Sequence, residues 1–217
     1  MNLPGNKGAE PWAPPKVETD ESSQLSSRFA AAFAYANRMH AGQHRKQSTT
    51  PYIAHLMAVT GMVLENGGDE DLAIAALLHD VVEDCGGLPV LADVREQFGG
   101  RVARIVEECT DNLGEHLRWR ERKQRYIDHL RHADPDVRLV MAADKLHNLR
   151  TIVQAYREVG EQVWERFTGG REGTLWYYRE LANDLRRDQN PLTQELQRVA
   201  GELERMATSP AEIDGNR

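Results

Sequence analysis

Between residues 21 and 207 the apolar positions return every three or four residues. Phe29, Ala32, Phe33 and Ala36 share one stripe, and Leu72, Ala75, Ala76, His79 and Val82 share another. That spacing is helical, and no strand-like alternation competes with it. It predicts helices over 22–41, 53–66, 69–84, 88–98, 100–109, 116–132, 134–157, 172–188 and 191–207. Punctuation separates them: Gly67-Gly68, Gly86-Gly87, Gly99-Gly100, Asp134-Pro135 and Gly169-Gly170 stand where helices should stop or start. The fold class expected is all-α, a compact multi-helix bundle forming one domain over 21–207. No internal repeat is visible. The leader, 1–20, and the tail, 208–217, have too few apolar residues to offset the entropy of ordering and are expected to be disordered.

At 217 residues such a domain buries a sizeable core without disulfides. Cys85 and Cys109 have no CxxC spacing, and with no secretion signal or long apolar run they are expected to stay reduced in a cytoplasmic protein that does not touch a membrane. The net charge of −7 argues against a general nucleic-acid binder, because such affinity rests on neutralising phosphates. A small anionic substrate stays open, since a local basic cluster can act inside an acidic protein. Oligomeric state leaves no mark in the pattern.

The sharpest chemical signal is the run Leu77-Leu78-His79-Asp80-Val81-Val82-Glu83-Asp84, four ionisable groups inside a strongly apolar stretch. Burying them uncompensated is costly, so a cation and hydrogen bonds are expected to balance them. The segment from Val140 to Arg150 repeats the theme. At roughly 100° per residue Asp144, Asn148 and Thr151 return to nearly one helix face, so a carboxylate can reach a metal while its neighbours reach a substrate. The bland alternative is a local hydrogen-bond network. His55, at the opening of another apolar helix, adds a third donor segment.

Together His55, His79, Asp80 and Asp144 make a set of two nitrogens and two oxygens from three helices. Four such ligands leave coordination positions open, as in a catalytic rather than a closed structural site. Ligand type suits Mn²⁺, Fe²⁺ or Zn²⁺ better than Ca²⁺ without choosing among the three.

These residues sit in stretches that resemble the HD-superfamily hydrolases, and more narrowly the hydrolase domain of RelA/SpoT-type enzymes and the small alarmone hydrolases. The stretches are HAGQHRK at 40–46, TPYIAH at 50–55, AALLHDVVED at 75–84, DVREQFGGRVARIVEECTD at 93–111 and ADKLHNLRT at 143–151. The resemblance covers about residues 28–185 and implies an HD-domain helical bundle. It implies one divalent ion, usually Mn²⁺, held by His55, His79, Asp80 and Asp144, and removal of the 3′-pyrophosphate from guanosine tetra- or pentaphosphate to leave GDP or GTP. Glu83 and Asp84 match an acidic pair that positions or activates the attacking water; for Glu83 a salt bridge is the alternative.

By the same resemblance Arg45 packs on the purine, Lys46 lies near the nucleotide, Asn148 and Thr151 hold its ribose and 5′ side, and Tyr177 or Tyr178 supplies an aromatic wall. The loop Arg45-Lys46-Gln47-Ser48-Thr49-Thr50-Pro51 departs from the common Arg-Lys-Ser-Gly-Glu-Pro form, being about one residue longer and lacking glycine, which bears on base preference. The basic run Arg118–Arg125 reads as a solvated helix face, or as one from which Arg122 and Lys123 reach the pyrophosphate. Competing functions are hydrolysis of adenosine alarmones, removal of the 2′-phosphate of NADPH, and a non-catalytic nucleotide-binding HD domain. The intact set of ligands and acids speaks against the last.

Overall fold

The computed structural model describes residues 25–46, 48–111 and 117–208. It contains α1 (Ser27–Met39), α2 (Ile53–Glu65), α3 (Glu70–Leu78), α4 (Val81–Cys85), α5 (Leu88–Phe98) and α6 (Gly100–Cys109). Then follow α7 (Trp119–His132), α8 (Pro135–Val159), α9 (Gly170–Leu185) and α10 (Pro191–Thr208), with 3-10 stretches at Gly160–Arg166 and Arg186–Asp188. Among the described residues extended pairing is limited to one antiparallel bridge, His44 to Pro51, which closes the loop before α2. The fold is the expected all-α bundle. The leader 1–20, Gln47 and all of the tail but Thr208 lie outside the described residues.

Two helices form the centre. In α3 every residue from Leu72 to Leu78 is buried, so it has no polar face, the signature of a helix enclosed on all sides. It packs against α1, α2, α6 and α8. Asp69 caps it by accepting the N–H of Leu72, and Glu70 and Asp71 favour its positive end. The other central helix, α8, begins on Pro135, which needs no N–H partner in a first turn. Its 25 residues extend ~37 Å and contact α2, α3, α6, α9 and α10.

The continuous helix expected over 69–84 is broken in the structure. The backbone turns at His79 and Asp80, with φ/ψ of −101°/−7° at Asp80, and α4 starts afresh at Val81. The Asp80 carboxylate is engaged from outside the segment, by the Tyr52 hydroxyl at 2.6 Å. Gly86 and Gly87 then take φ of +149° and +68°, values L side chains rarely adopt, and end α4 sharply. The 3-10 stretch after α8 had no expectation in the sequence, and α9 begins at Gly170 and gives way to a 3-10 turn at Arg186 rather than running over 172–188.

Elsewhere α7 docks on α9 through Trp119. Its ring occupies a space bounded by Gly169 and Gly173, where an added Cβ would come within 2.5 and 2.9 Å of ring atoms. Arg138, 4% exposed, ties α8 to the end of α7 and to α9. It donates to the Leu130 carbonyl, to Asp184 Oδ2 at 2.9 Å and to both oxygens of Asp188 at 3.0 Å. Cys85 and Cys109 are unpaired. Among the described residues no helix is long and apolar enough to cross a membrane.

Candidate active site

Three elements deliver the four expected metal donors to one spot. The first turn of α2 brings His55, the turn between α3 and α4 brings His79 and Asp80, and the middle of α8 brings Asp144. Asp80 Oδ2 lies 3.0 Å from His79 Nε2 and 3.6 Å from His55 Nε2. Asp144 Oδ1 lies 3.2 Å from His55 Nε2 and 3.7 Å from His79 Nε2. His55 and His79 are 1% and 3% exposed, and neither Nε2 has a hydrogen-bond partner. Two buried, unpartnered imidazole nitrogens between two carboxylate oxygens fit a divalent cation: they supply the missing partner's ligands, and it supplies the charge the carboxylates demand. His55, His79 and Asp80 place one donor atom each within 4.8 Å of one another.

The remaining atoms of these side chains are held. His79 Nδ1–H donates to the Ala76 carbonyl at 2.8 Å, leaving the lone pair on Nε2. His55 Nδ1 faces Nδ1 of His147 at 2.8 Å. Asp144 accepts from Asn148 Nδ2 and from Lys145 Nζ, each at 2.5 Å. Burial opposes charge on Asp144, but Lys145, His55 and His79 outweigh it and hold its carboxyl well below the usual range. Asp80 is likewise held low against burial, by His79 and His55. Burial also opposes charge on His79, yet Asp80 and Asp144 keep its pKa well above that of a free imidazole. The pair of carboxylates therefore draws positive charge onto whatever lies between them.

Beside this cluster Glu83 accepts the backbone N–H of Asp111 at 3.2 Å. Although its side chain reaches solvent, the surrounding protein raises its carboxyl pKa, and the charges of Asp111 and Asp80 add to the effect. Asp84 accepts from Gln43 Nε2 at 2.8 Å. Arg122 and Lys123 both donate to Asp111 Oδ2, the lysine at 2.5 Å. The structure thus turns them inward onto an acid next to Glu83 instead of leaving them on a solvated face.

A cavity of about 1080 Å³ opens alongside, bordered by Arg45, Lys46, His55, Asp84, Asn148 and Thr151 among others. Arg45 donates to Asn148 Oδ1 at 2.5 Å and lies over the Tyr52 ring, 5.5 Å from its centroid. Lys46 spans the cavity to the Arg166 carbonyl. Thr151 Oγ1 donates to the His147 carbonyl at 3.0 Å. Of the two tyrosines Tyr178 borders the cavity. Tyr177 packs against Trp119 and under Lys123, whose Nζ is 5.0 Å from its ring. Consecutive residues of α9 diverge by roughly 100°, so one turning to the cavity takes the other away. His79, Asp80, Glu83, Asp144, Tyr177, Arg122 and Lys123 do not border this cavity; His55 and Asp84 connect it to the cluster. Sequence reasoning missed Tyr52, Asp111, Lys145 and His147. A lysine following an aspartate inside an apolar helix was a signal for Lys145, whereas Asp111 reaches Glu83 only through the tertiary fold.

Residues 32–175 match the model of the HD domain family. The chain is 38% identical over 175 residues to mouse guanosine-3′,5′-bis(diphosphate) 3′-pyrophosphohydrolase MESH1, covering 74% of this chain and 93% of that enzyme. It is 38% identical over 130 residues to the human MESH1 enzyme, covering 58% of this chain and 70% of that one. A GTP pyrophosphokinase of Streptomyces coelicolor is 36% identical over 175 residues, 79% of this chain but 19% of its own length. Among solved structures a metazoan ortholog of SpoT that hydrolyses ppGpp superposes with a TM-score of 0.68 at 29% identity, covering 82% of this chain and 96% of that one.

Proposed function

The chain belongs to the HD domain family, and from that premise we propose that it is a metal-dependent guanosine-3′,5′-bis(diphosphate) 3′-pyrophosphohydrolase. The observation that carries this reading is the convergence of His55 Nε2, His79 Nε2, Asp80 and Asp144 next to a cavity with a basic loop at Arg45 and Lys46. The mouse relative named for this activity matches over 93% of its length, and the human one over 70%. His55, His79, Asp80 and Asp144 would hold one divalent ion, which we assign as Mn²⁺. When bound, such an ion supplies Lewis acidity that makes water a better nucleophile and offsets phosphate charge.

The chain's own groups do the rest. Glu83, its pKa raised, takes the proton of the attacking water, and Asp84, held by Gln43, orients that water. The water oxygen bonds to the phosphorus attached to ribose O3′. The P–O3′ bond breaks with its electron pair remaining on O3′, which takes up a proton, and pyrophosphate departs whole. Arg45 packs its guanidinium on the purine, Asn148 and Thr151 hold the ribose and 5′ side, and Lys46 lies near the nucleotide. Tyr178 supplies the aromatic wall in place of Tyr177. Arg122 and Lys123 act on the pyrophosphate only if Asp111 releases them.

The test is a product assay with Mn²⁺-loaded protein on ppGpp, ppApp, NADPH and GTP. Equal amounts of GDP and intact pyrophosphate from ppGpp, with little turnover of GTP, are expected. Stepwise orthophosphate, or a clear preference for NADPH, would overturn the 3′-pyrophosphohydrolase reading and leave the metal centre standing.

A further inference from the structure

Three of the four proposed metal donors are held by groups of fixed character: a backbone carbonyl for His79, a tyrosine hydroxyl for Asp80, an amide and an ammonium for Asp144. His55 alone is held by another imidazole, Nδ1 to Nδ1 at 2.8 Å. One ring must donate there and the other accept, and the choice is forced. His55 offers a lone pair at Nε2 only if its proton sits on Nδ1, so His147 Nδ1 is the acceptor. A neutral His147 then carries its own proton on Nε2, at the opposite corner of the ring, and the residue borders the nucleotide cavity.

We propose that His147 works at both ends: its Nδ1 positions His55 as a metal ligand, and its Nε2–H donates to an oxygen of the bound nucleotide. The first half rests on the proposed metal centre and the second on the proposed substrate. The rings of His55 and His147 also touch, with centroids 4.8 Å apart and planes inclined at 43°, so simple packing is the competing account. Phenylalanine would preserve that packing and nothing else.

Three substitutions separate the two ends. In His147→Asn the amide oxygen falls near the position of Nδ1, in His147→Gln the amide nitrogen falls near that of Nε2, and His147→Phe keeps neither. The first readout, without nucleotide, is retention of Mn²⁺ by the loaded full-length protein against a graded chelator series, with thermal melting as the check on folding. His147→Phe and His147→Gln should lose Mn²⁺ at about 10- to 100-fold lower chelator, and His147→Asn should hold it nearly as the native protein does. The second readout is KM for ppGpp at saturating Mn²⁺, which should rise about tenfold in His147→Asn and His147→Phe and little in His147→Gln. Native retention of Mn²⁺ by a folded His147→Phe would overturn the hold on His55. Equal behaviour of the Asn and Gln variants would overturn the two-ended role. A native protein that binds Mn²⁺ but leaves ppGpp intact would remove the substrate reading and the donor half with it, while the chelator series still decides the other half.

Discussion

The Tyr52 hydroxyl donates at 2.6 Å to Oδ2 of Asp80, the same oxygen that approaches both imidazoles of the metal cluster. Its ring stacks on His40 at 4.9 Å and underlies Arg45. Tyr52→Phe keeps the ring and loses the hydroxyl. We expect about 10- to 100-fold weaker metal binding with KM near native, measured by calorimetric titration and steady-state kinetics. Unchanged metal affinity would show that Asp80 needs no such anchor.

Glu83→Gln preserves size and the ability to accept from the Asp111 N–H, but removes the base. Metal content should survive, and kcat should fall by about 10²- to 10⁴-fold. Elemental analysis beside single-turnover rates checks this, and a native rate would assign Glu83 a structural part.

Asp111 holds Arg122 and Lys123 by one oxygen while its other oxygen is buried and unpartnered. Asp111→Asn removes the charge they answer to. Freed toward an anionic substrate, they should lower KM for ppGpp several-fold, and steeper dependence on ionic strength should accompany the change. A raised KM with native salt dependence would count against any reach of these cations to the pyrophosphate.

Arg138→Met should be among the most destabilising single changes outside the site. It takes the buried guanidinium from Asp184, which keeps Arg131 at 3.3 Å, and from the Leu130 carbonyl, which keeps the Ala133 N–H at 3.3 Å, a loss on the order of 3 kcal/mol, readable by urea denaturation. A loss below about 1 kcal/mol would mean that water replaces the guanidinium.

Acid should loosen α10 in a defined way. Glu195 bonds Arg198 within the helix and Arg150 on α8, and hydrogen bonding to Arg198, against a smaller effect of burial, lowers its pKa to about 2. A depressed carboxylate contributes stability that is fully present above its unfolded pKa of ~4.3 and vanishes as pH falls through its folded value. The stability gap between native protein and Glu195→Gln should therefore be about 0.2–1 kcal/mol at neutral pH and close from about pH 4.5 toward about 2. A gap independent of pH would assign the effect to packing.

The helices were legible because their interiors are so apolar that helical spacing is unmistakable, and the proposed metal donors because they are the polar exceptions in those stretches. His79 and Asp144 declare themselves in this way. The break at Asp80 was not legible: the side-chain contact made there comes from a hydroxyl 28 residues upstream, which local spacing does not disclose. Nor was the attachment of Arg122 and Lys123 to Asp111: a charged run on a helix looks alike whether it meets water or an acid carried by another element. The choice of Tyr178 over Tyr177 is a matter of helix rotation, which adjacent tyrosines do not disclose.

The turn at His79 and Asp80 also sets a limit on engineering. His79 and Asp80 stand in the turn between α3 and α4, and the 3.0 Å from Asp80 Oδ2 to His79 Nε2 depends on the backbone there. Consensus or propensity-guided changes that strengthen helical continuity around Leu78–Val82 would raise thermal stability by the ordinary logic of helix formation. They would do so by altering the backbone that carries His79 and Asp80. A thermostabilisation campaign on this protein should treat that junction as closed to mutation and spend its changes on the far ends of α8 and α10.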